Sequence, residues 1–291
     1  MRSVFRQLIE RQAIKPYIAG HVTDGSTVTF KINGDSNITV DVDSNGNFKW
    51  IADRNITSLE KAFNNVVDVD KVFIQLPLNN NITSCYYMFD SCADLTDVVI
   101  YGDLSKVATA NKMFNASKLT SLKISNSFSP KNMEYFAFAC TQNINLIFDK
   151  SMFKNATTLN RAFMNAFLSL IDLSLSDNCS DFSYIGQNNS YLITLKLPNI
   201  KASAIFIAGT CPNLENVEIK STKSDLDFQK CSKLTKQSIL NIINAAAANV
   251  TYTLHSTIYN KCASSGEWYT DVQNAIDAKA LQGYTVTLIS A

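Results

Sequence analysis

An aliphatic trio with the spacing i, i+3, i+5 recurs along most of this chain. It reads Val69, Val72, Ile74, then Leu95, Val98, Ile100, then Leu119, Leu122, Ile124. A weaker copy at Ile144, Ile147 and Phe148 leads to Leu170, Leu173, Leu175, then Leu192, Leu195, Leu197, and finally Leu214, Val217, Ile219. Successive last members lie 22 to 27 residues apart. An aromatic column keeps step ahead of the trios at Phe63, Phe89, Phe114, Phe138, Phe163, Ile185 in place of a ring, Phe206 and Phe228. A column of small residues follows it at Cys92, Ala116, Cys140, Ala166, Cys211 and Cys231. One such unit is too short to bury its own apolar side chains, so the copies must stack.

Stacking dictates a geometry. Each trio becomes a short strand whose alternate side chains point inward. Strands of successive copies pair as a parallel sheet, the aromatics fill the opposite wall, and the small residues let the backbone turn tightly. The period falls in the range of about 20–29 residues that marks leucine-rich repeats. The expected fold is an α/β solenoid. A right-handed leucine-rich-repeat coil with a parallel sheet spans 56–233. A helical arm (1–19) and an antiparallel β-hairpin cap (20–55) precede it, and an α/β C-terminal cap (234–291) follows.

The flanking segments have their own signals. Residues 1–15 place Val4, Phe5, Leu8 and Ile9 on one side of a short amphipathic helix, which Pro16 ends. That helix packs on the first coil or serves as a docking arm. Thr27 to Ile32, Ile38 to Val42 and Phe48 to Ile51 alternate, with Asn33-Gly34 and Asn45-Gly46 as hairpin turns, so one small antiparallel sheet is expected. After Leu234 the period breaks. A helix, a strand at Thr251–His255, a helix at Thr257–Cys262, a helix at Trp268–Leu281 ending at Gly283, and a strand at Tyr284–Ile289 follow. They are expected to continue the repeat sheet and close its end.

Two copies carry a more specific likeness. Met88-Phe89-Asp90-Ser91-Cys92-Ala93-Asp94-Leu95-Thr96 and Met113-Phe114-Asn115-Ala116-Ser117-Lys118-Leu119-Thr120-Ser121-Leu122 resemble the Met-Phe-x-x-Cys-x-x-Leu-Thr-x-Leu-x-Leu units of BspA-like surface proteins of Bacteroides-type bacteria. The resemblance covers residues 56–235, with departures near 144 and 185. It implies a leucine-rich-repeat fold and a role in adhesion.

Composition narrows the function classes. Lys+Arg 26 against Asp+Glu 25 gives a net charge of +1, so no basic face calls for nucleic acid. No stretch of 18 apolar residues spans a membrane. Charges at Arg6, Glu10 and Arg11 interrupt any secretory apolar region. The expectation is therefore a mature fragment, or a route outside other than ordinary secretion. Seven Cys is an odd number, and four sit in the small column, so packing rather than disulfides or a metal is expected. Nine Gly and the absence of G-x-G-x-x-G, G-x-S-x-G and H-E-x-x-H argue against cofactor loops and catalytic elbows. Asp41-x-Asp43-x-Asn45-Gly46 opens like a calcium loop, but its twelfth position is Ala52, which favours a turn. His21 and His255 adjoin no nucleophile in a recognisable motif. Asp97, Asp172 and Glu218 are the carboxylates from which a glycosidase pair would be drawn. No cofactor or metal is expected.

What remains is the outer face of the strands. Lys71, Asp97, Ser121, Asp172, Thr194 and Asn216 form one expected column; Phe73, Val99, Lys123, Ser174, Lys196 and Glu218 form the other. Phe73, Val99 and Tyr101 make an apolar patch, joined or not by Tyr86 and Tyr87, and with Lys123, Lys196 and Glu218 they are the candidate binding residues. The first reading is a non-catalytic interaction or adhesion protein that binds a protein or glycan on a cell surface. The second is a structural bacteriophage virion component, a fibre or tail protein, joined to other virion proteins through residues 1–15. A carbohydrate-active enzyme is the third.

Overall fold

The computed structural model describes residues 15–34, 36–140, 145–201 and 209–291. Its chain divides into two compact units, Met1–Leu146 and Ile147–Ala291. Both are β-solenoid in character, built of short parallel strands joined by turns. Apart from one 3₁₀ turn at Lys150–Phe153, the described residues are helical only after residue 235. The repeats are therefore strand and turn, with less helix than an α/β coil was expected to hold.

Unit 1 carries β1 (Tyr17–Val22), β2 (Thr27–Ile32), β3 (Ser36–Asp41), β4 (Asn47–Ile51), β5 (Val69–Gln75), β6 (Asp97–Tyr101) and β7 (Ser121–Ile124). Its main sheet has the order β4-β1-β5-β6-β7. Strands β5, β6 and β7 are parallel and in register, with Val72, Val98 and Leu122 side by side and Phe73, Val99 and Lys123 beside them. Val72, Ile74, Val98 and Ile100 are buried, as the alternation requires. β1 runs antiparallel between β5 and β4. The sheet thus begins at Tyr17, inside the segment expected to be a helical arm, whose residues 1–14 lie outside those described.

The first hairpin forms as expected, β2 against β3 around Asn33 and Gly34, both at positive φ. The second does not. After the Asn45-Gly46 turn, β4 leaves β3 and pairs with β1. Asp43 fixes that turn by accepting the Asn45 and Asn47 N–H groups at 2.8 and 2.9 Å. Those backbone bonds hold its carboxyl below the usual range.

The turn wall has a regular backbone. In four coils of unit 1 two residues four apart take positive φ: Lys61 and Asn65, Tyr87 and Ser91, Lys112 and Ala116, Tyr135 and Ala139. Alternate N–H groups then reach the next coil, as Lys61 to Tyr86, Phe63 to Met88 and Asn65 to Asp90. A left-handed non-Gly residue costs about 1–2 kcal/mol. These positions persist because the inter-coil ladder fixes the chain on both sides. Between each pair sits the aromatic column. Phe30 of β2 stacks on Phe63 at 5.2 Å, Phe63 on Phe89 at 5.5 Å, and Phe89 on Phe114 at 5.4 Å, while Phe136 meets Phe114 edge-on at 5.4 Å.

This backbone corrects the expected columns. The pair Tyr135 and Ala139 centres on Ala137, so Phe136 supplies the ring and Phe138 is half-buried beside it. Ser117, 1% exposed, takes the small position expected of Ala116, which is one of the left-handed residues. Ser117 Oγ donates to the Phe114 carbonyl, and Cys92 Sγ donates to the Phe63 carbonyl.

Unit 2 carries β8 (Leu170–Asp172), β9 (Thr194–Ile200), β10 (Asn216–Thr222), β11 (Leu226–Phe228), α1 (Lys236–Asn244), β12 (Val250–Leu254), α2 (Ser256–Cys262), α3 (Tyr269–Leu281) and β13 (Val286–Ser290). Strands β8, β9 and β10 form a parallel sheet with Ile171, Leu195 and Val217 in register. Leu173, Leu195 and Leu197 are buried together with Val217 and Ile219. The inward trio at β8 is therefore Leu168, Ile171, Leu173, two residues earlier than expected, and Leu175 is 41% exposed. In the weak copy Leu146 and Phe148 are buried while Ile147 is 62% exposed; Ile144 lies outside the described residues.

The C-terminal segment meets the end of β10 at an isolated parallel bridge, Thr222 with Ala246, but adds no strand to β8–β10. Its strands join β11 in a separate parallel sheet, β11-β12-β13. α1 lies along β10 and meets the strand's outer edge with side chains. Ser238 Oγ accepts the Val217 N–H at 2.9 Å, and Asn241 Nδ2 donates to the Val217 carbonyl at 3.1 Å. Thr235 caps α1 by accepting the Ser238 N–H.

All seven cysteines are unbridged and buried, in keeping with a packing role. Burial pushes the thiols of Cys85, Cys92, Cys179 and Cys211 up to about 12, and that of Cys262 to about 11. Protonated buried thiols are poor nucleophiles. The native protein at pH 8 should give essentially no fast reaction with a disulfide reagent, and seven thiols should react in guanidinium. Fast native labelling would contradict this packing.

Candidate functional site

The outer face of the unit 1 sheet gathers side chains from five strands. Alternation on β4 turns Phe48 inward and Lys49 and Ile51 outward; on β1 it turns Ile18 inward and Tyr17 outward. On β5 and β6 the outward residues include Phe73, Val99 and Tyr101. The three rings touch in sequence. Tyr17 and Phe73 stack at 5.5 Å with 13° between their planes, and Phe73 meets Tyr101 edge-on at 5.6 Å. Lys49 Nζ lies 4.6 Å from the centre of the Tyr17 ring, and Lys123 Nζ lies 5.2 Å from that of Tyr101. The result is a continuous strip, Lys49–Tyr17–Phe73–Tyr101–Lys123, crossing the sheet. Four inter-strand spacings make it about 19 Å long.

The expected apolar patch of Phe73, Val99 and Tyr101 is thus assembled, and the candidate Lys123 stands beside Val99 in the register. Tyr17 and Lys49 are additions. They join because β1 and β4 enter the sheet, which the weak alternation around Gly20 hardly announces. Tyr86 and Tyr87 do not join the strip. They belong to the turn wall, where Lys112 Nζ donates to the Tyr87 hydroxyl at 2.8 Å and lowers its pKa.

The strip has an electrostatic sense. Among the described residues neither Lys49 nor Lys123 ion-pairs with a carboxylate, and Lys71 is exposed on the same face. Asp97 stands beside Lys71 in the register and accepts the Thr96 hydroxyl at 2.9 Å, and Asp70 Oδ1 lies 2.6 Å from His21 Nδ1. Ammonium groups over ring faces are held by the ring quadrupole while their remaining donors face solvent.

Lys196 and Glu218 lie in unit 2. They ion-pair at 2.9 Å on the wall of a groove of about 570 Å³ that also includes Leu170, Asn216 and Asn241. Glu218, by its hydrogen bond, raises the Lys196 pKa. The register puts Asp172 beside Lys196 rather than beside Thr194 as expected, and Lys150 approaches Asp172 at 4.0 Å. Charges therefore alternate across adjacent coils. Lys196 stands between Asp172 and Glu218, two of the carboxylates considered for a glycosidase pair.

His255 Nδ1 accepts the Thr257 N–H and caps α2. Among the described residues no group of three His, Cys, Asp or Glu is placed to hold a metal, and no helix is long and apolar enough to cross a membrane. Val4, Phe5, Leu8 and Ile9 lie outside the described residues. Comparison with known protein families, curated proteins and solved structures finds no match to this chain.

Proposed function

We propose that this chain is a non-catalytic interaction protein that presents its outer sheet face to a protein or glycan at a bacterial cell surface. The single observation that carries the reading is the half-buried aromatic strip Tyr17–Phe73–Tyr101, which runs across the outer face of the unit 1 sheet. Solenoids bind through such extended faces. The likeness of residues 88–96 and 113–122 to BspA-like repeats supports the same role. On this reading β1–β4 cap the leucine-rich repeats of unit 1 and the segment from α1 to β13 caps those of unit 2, a cover that terminal repeats need in order to stay soluble.

Labelled protein incubated with bacterial cells tests it. Phe73→Ala removes the middle ring and should lower cell binding at least tenfold while the circular dichroism spectrum stays unchanged. Retention of wild-type binding by a folded Phe73→Ala variant would sink the reading.

A further inference from the structure

The β2–β3 hairpin has two borders, and they differ. The Val42 N–H donates to the Ser26 carbonyl at 2.9 Å, so in this register the even residues of β3 bond to β2 and the odd residues point away from it. The far border of β2 is used: the Lys31 and Asn33 N–H groups donate to the Ala62 and Ser58 carbonyls. The far border of β3 consists of the N–H and C=O groups of Asn37, Thr39 and Asp41, and among the described residues no strand pairs with it. Elsewhere such borders are blunted. Asp43 holds both backbone groups of Asn47 at the start of β4, and Ser238 and Asn241 hold those of Val217 on β10. β3 runs its whole length against β2 without a register shift and contains no Pro, so neither device guards it. We infer that this border docks a second copy of the chain, β3 against β3, antiparallel about a two-fold axis at Thr39.

The side chains match the strand to its own reverse. Centring on Thr39 sets Asn37 opposite the second copy's Asp41, and Asp41 opposite the second copy's Asn37, so every free N–H of the border meets a C=O. Asp41 is the one ionisable side chain among the three border residues. Antiparallel docking faces it with an amide that can donate to it. Parallel docking in register would face it with another Asp41, and like charges directly opposite are destabilising. β2 sets Lys31 beside Asn37 and Thr27 beside Asp41. Each outer row therefore runs Lys31, Asn37, then Asp41 and Thr27 of the second copy, with a cation and a carboxylate in the same row. The middle row is Thr29 and Thr39 from each copy, and within one copy their hydroxyls already bond at 2.9 Å. On the opposite face of the hairpin Val40 is half-buried, and docking brings it against the second copy's Ile38. A strand lacking this order would leave Asp41 and Val40 unmatched.

Sedimentation velocity of the full chain tests this. The border is short, so a monomer–dimer equilibrium with a dissociation constant on the order of 10 µM is expected across loadings of about 1 to 200 µM. Asn37→Asp puts a second carboxylate opposite Asp41 and should weaken the dimer at least tenfold. The exchange Asn37→Asp/Asp41→Asn restores one carboxylate opposite one amide and should return the dimer to within about threefold of the wild type. That rescue is specific to the two-fold antiparallel register. Thr39→Pro removes an N–H that points away from β2, so the hairpin keeps its own bonds. It should leave the chain monomeric with an unchanged circular dichroism spectrum. A wild-type chain that stays monomeric at every loading overturns the inference. So does a dimer that ignores Asn37→Asp, an exchange variant that fails to recover, or a folded Thr39→Pro variant that still dimerises. Should Thr39→Pro not fold, the weakening by Asn37→Asp and its rescue decide the matter.

Discussion

Phe89→Ala is expected to destabilise unit 1 by about 3–5 kcal/mol, the range for emptying a buried Phe site. Phe89 is fully buried and stands in the middle of a stack, 5.5 Å from Phe63 and 5.4 Å from Phe114. Truncation opens a void bounded by two coils. The walls cannot close on it, because the ladder from Phe63 N–H to Met88 and from Phe89 N–H to Met113 fixes the coil spacing. Phe89→Leu leaves a smaller void and should cost less. Denaturant unfolding followed by circular dichroism measures both. A loss below about 1 kcal/mol for Phe89→Ala would mean that the stack relaxes, contrary to close packing.

The second large effect is expected at Gly20. Its missing side chain faces inward, where a Cβ would strike the Lys71 carbonyl and lie 2.6 Å from the Phe48 ring. One of those obstacles is backbone in the neighbouring strand, so a rotamer change does not relieve it. Gly20→Ala should force β1 away from β5 and cost about 3 kcal/mol, at the upper end of overpacking. It should also separate Tyr17 from Phe73 and so weaken binding through the strip. The pairing of Gly20 with both Val72 and Phe48 is what links the two losses. Unchanged stability, or lost binding without lost stability, would show that β1 is held less tightly than its pairing implies.

Much of the inner architecture was legible from alternation alone. Leu195 and Leu197 admit one frame because the charged Lys196 separates them. Around β8 the chain offers Leu at 168, 170, 173 and 175, so two frames fit the same template and only hydrogen bonding to β9 decides. Phe136-Ala137-Phe138 poses the same ambiguity on the turn wall. The left-handed positions were hidden for another reason. Lys61, Tyr87 and Arg161 carry no intrinsic preference for positive φ, and a neighbouring coil imposes it on them.

The strip was half legible. Phe73, Val99, Tyr101 and Lys123 follow from the repeat, since one period brings them side by side. Tyr17 and Lys49 required knowing that β4 abandons β3 for β1. Both pairings satisfy the same alternation, and a turn such as Asn45-Gly46 names a reversal without naming the strand that receives it.

The contact between α1 and β10 has a consequence for behaviour in concentrated solution. An exposed strand border is a template on which foreign chains can assemble into fibrils. At Val217 both the donor and the acceptor of that border are already occupied by Ser238 and Asn241. A stranger's backbone finds no vacancy at Val217, so one flank of this molecule is guarded against amyloid-like growth by two small polar side chains.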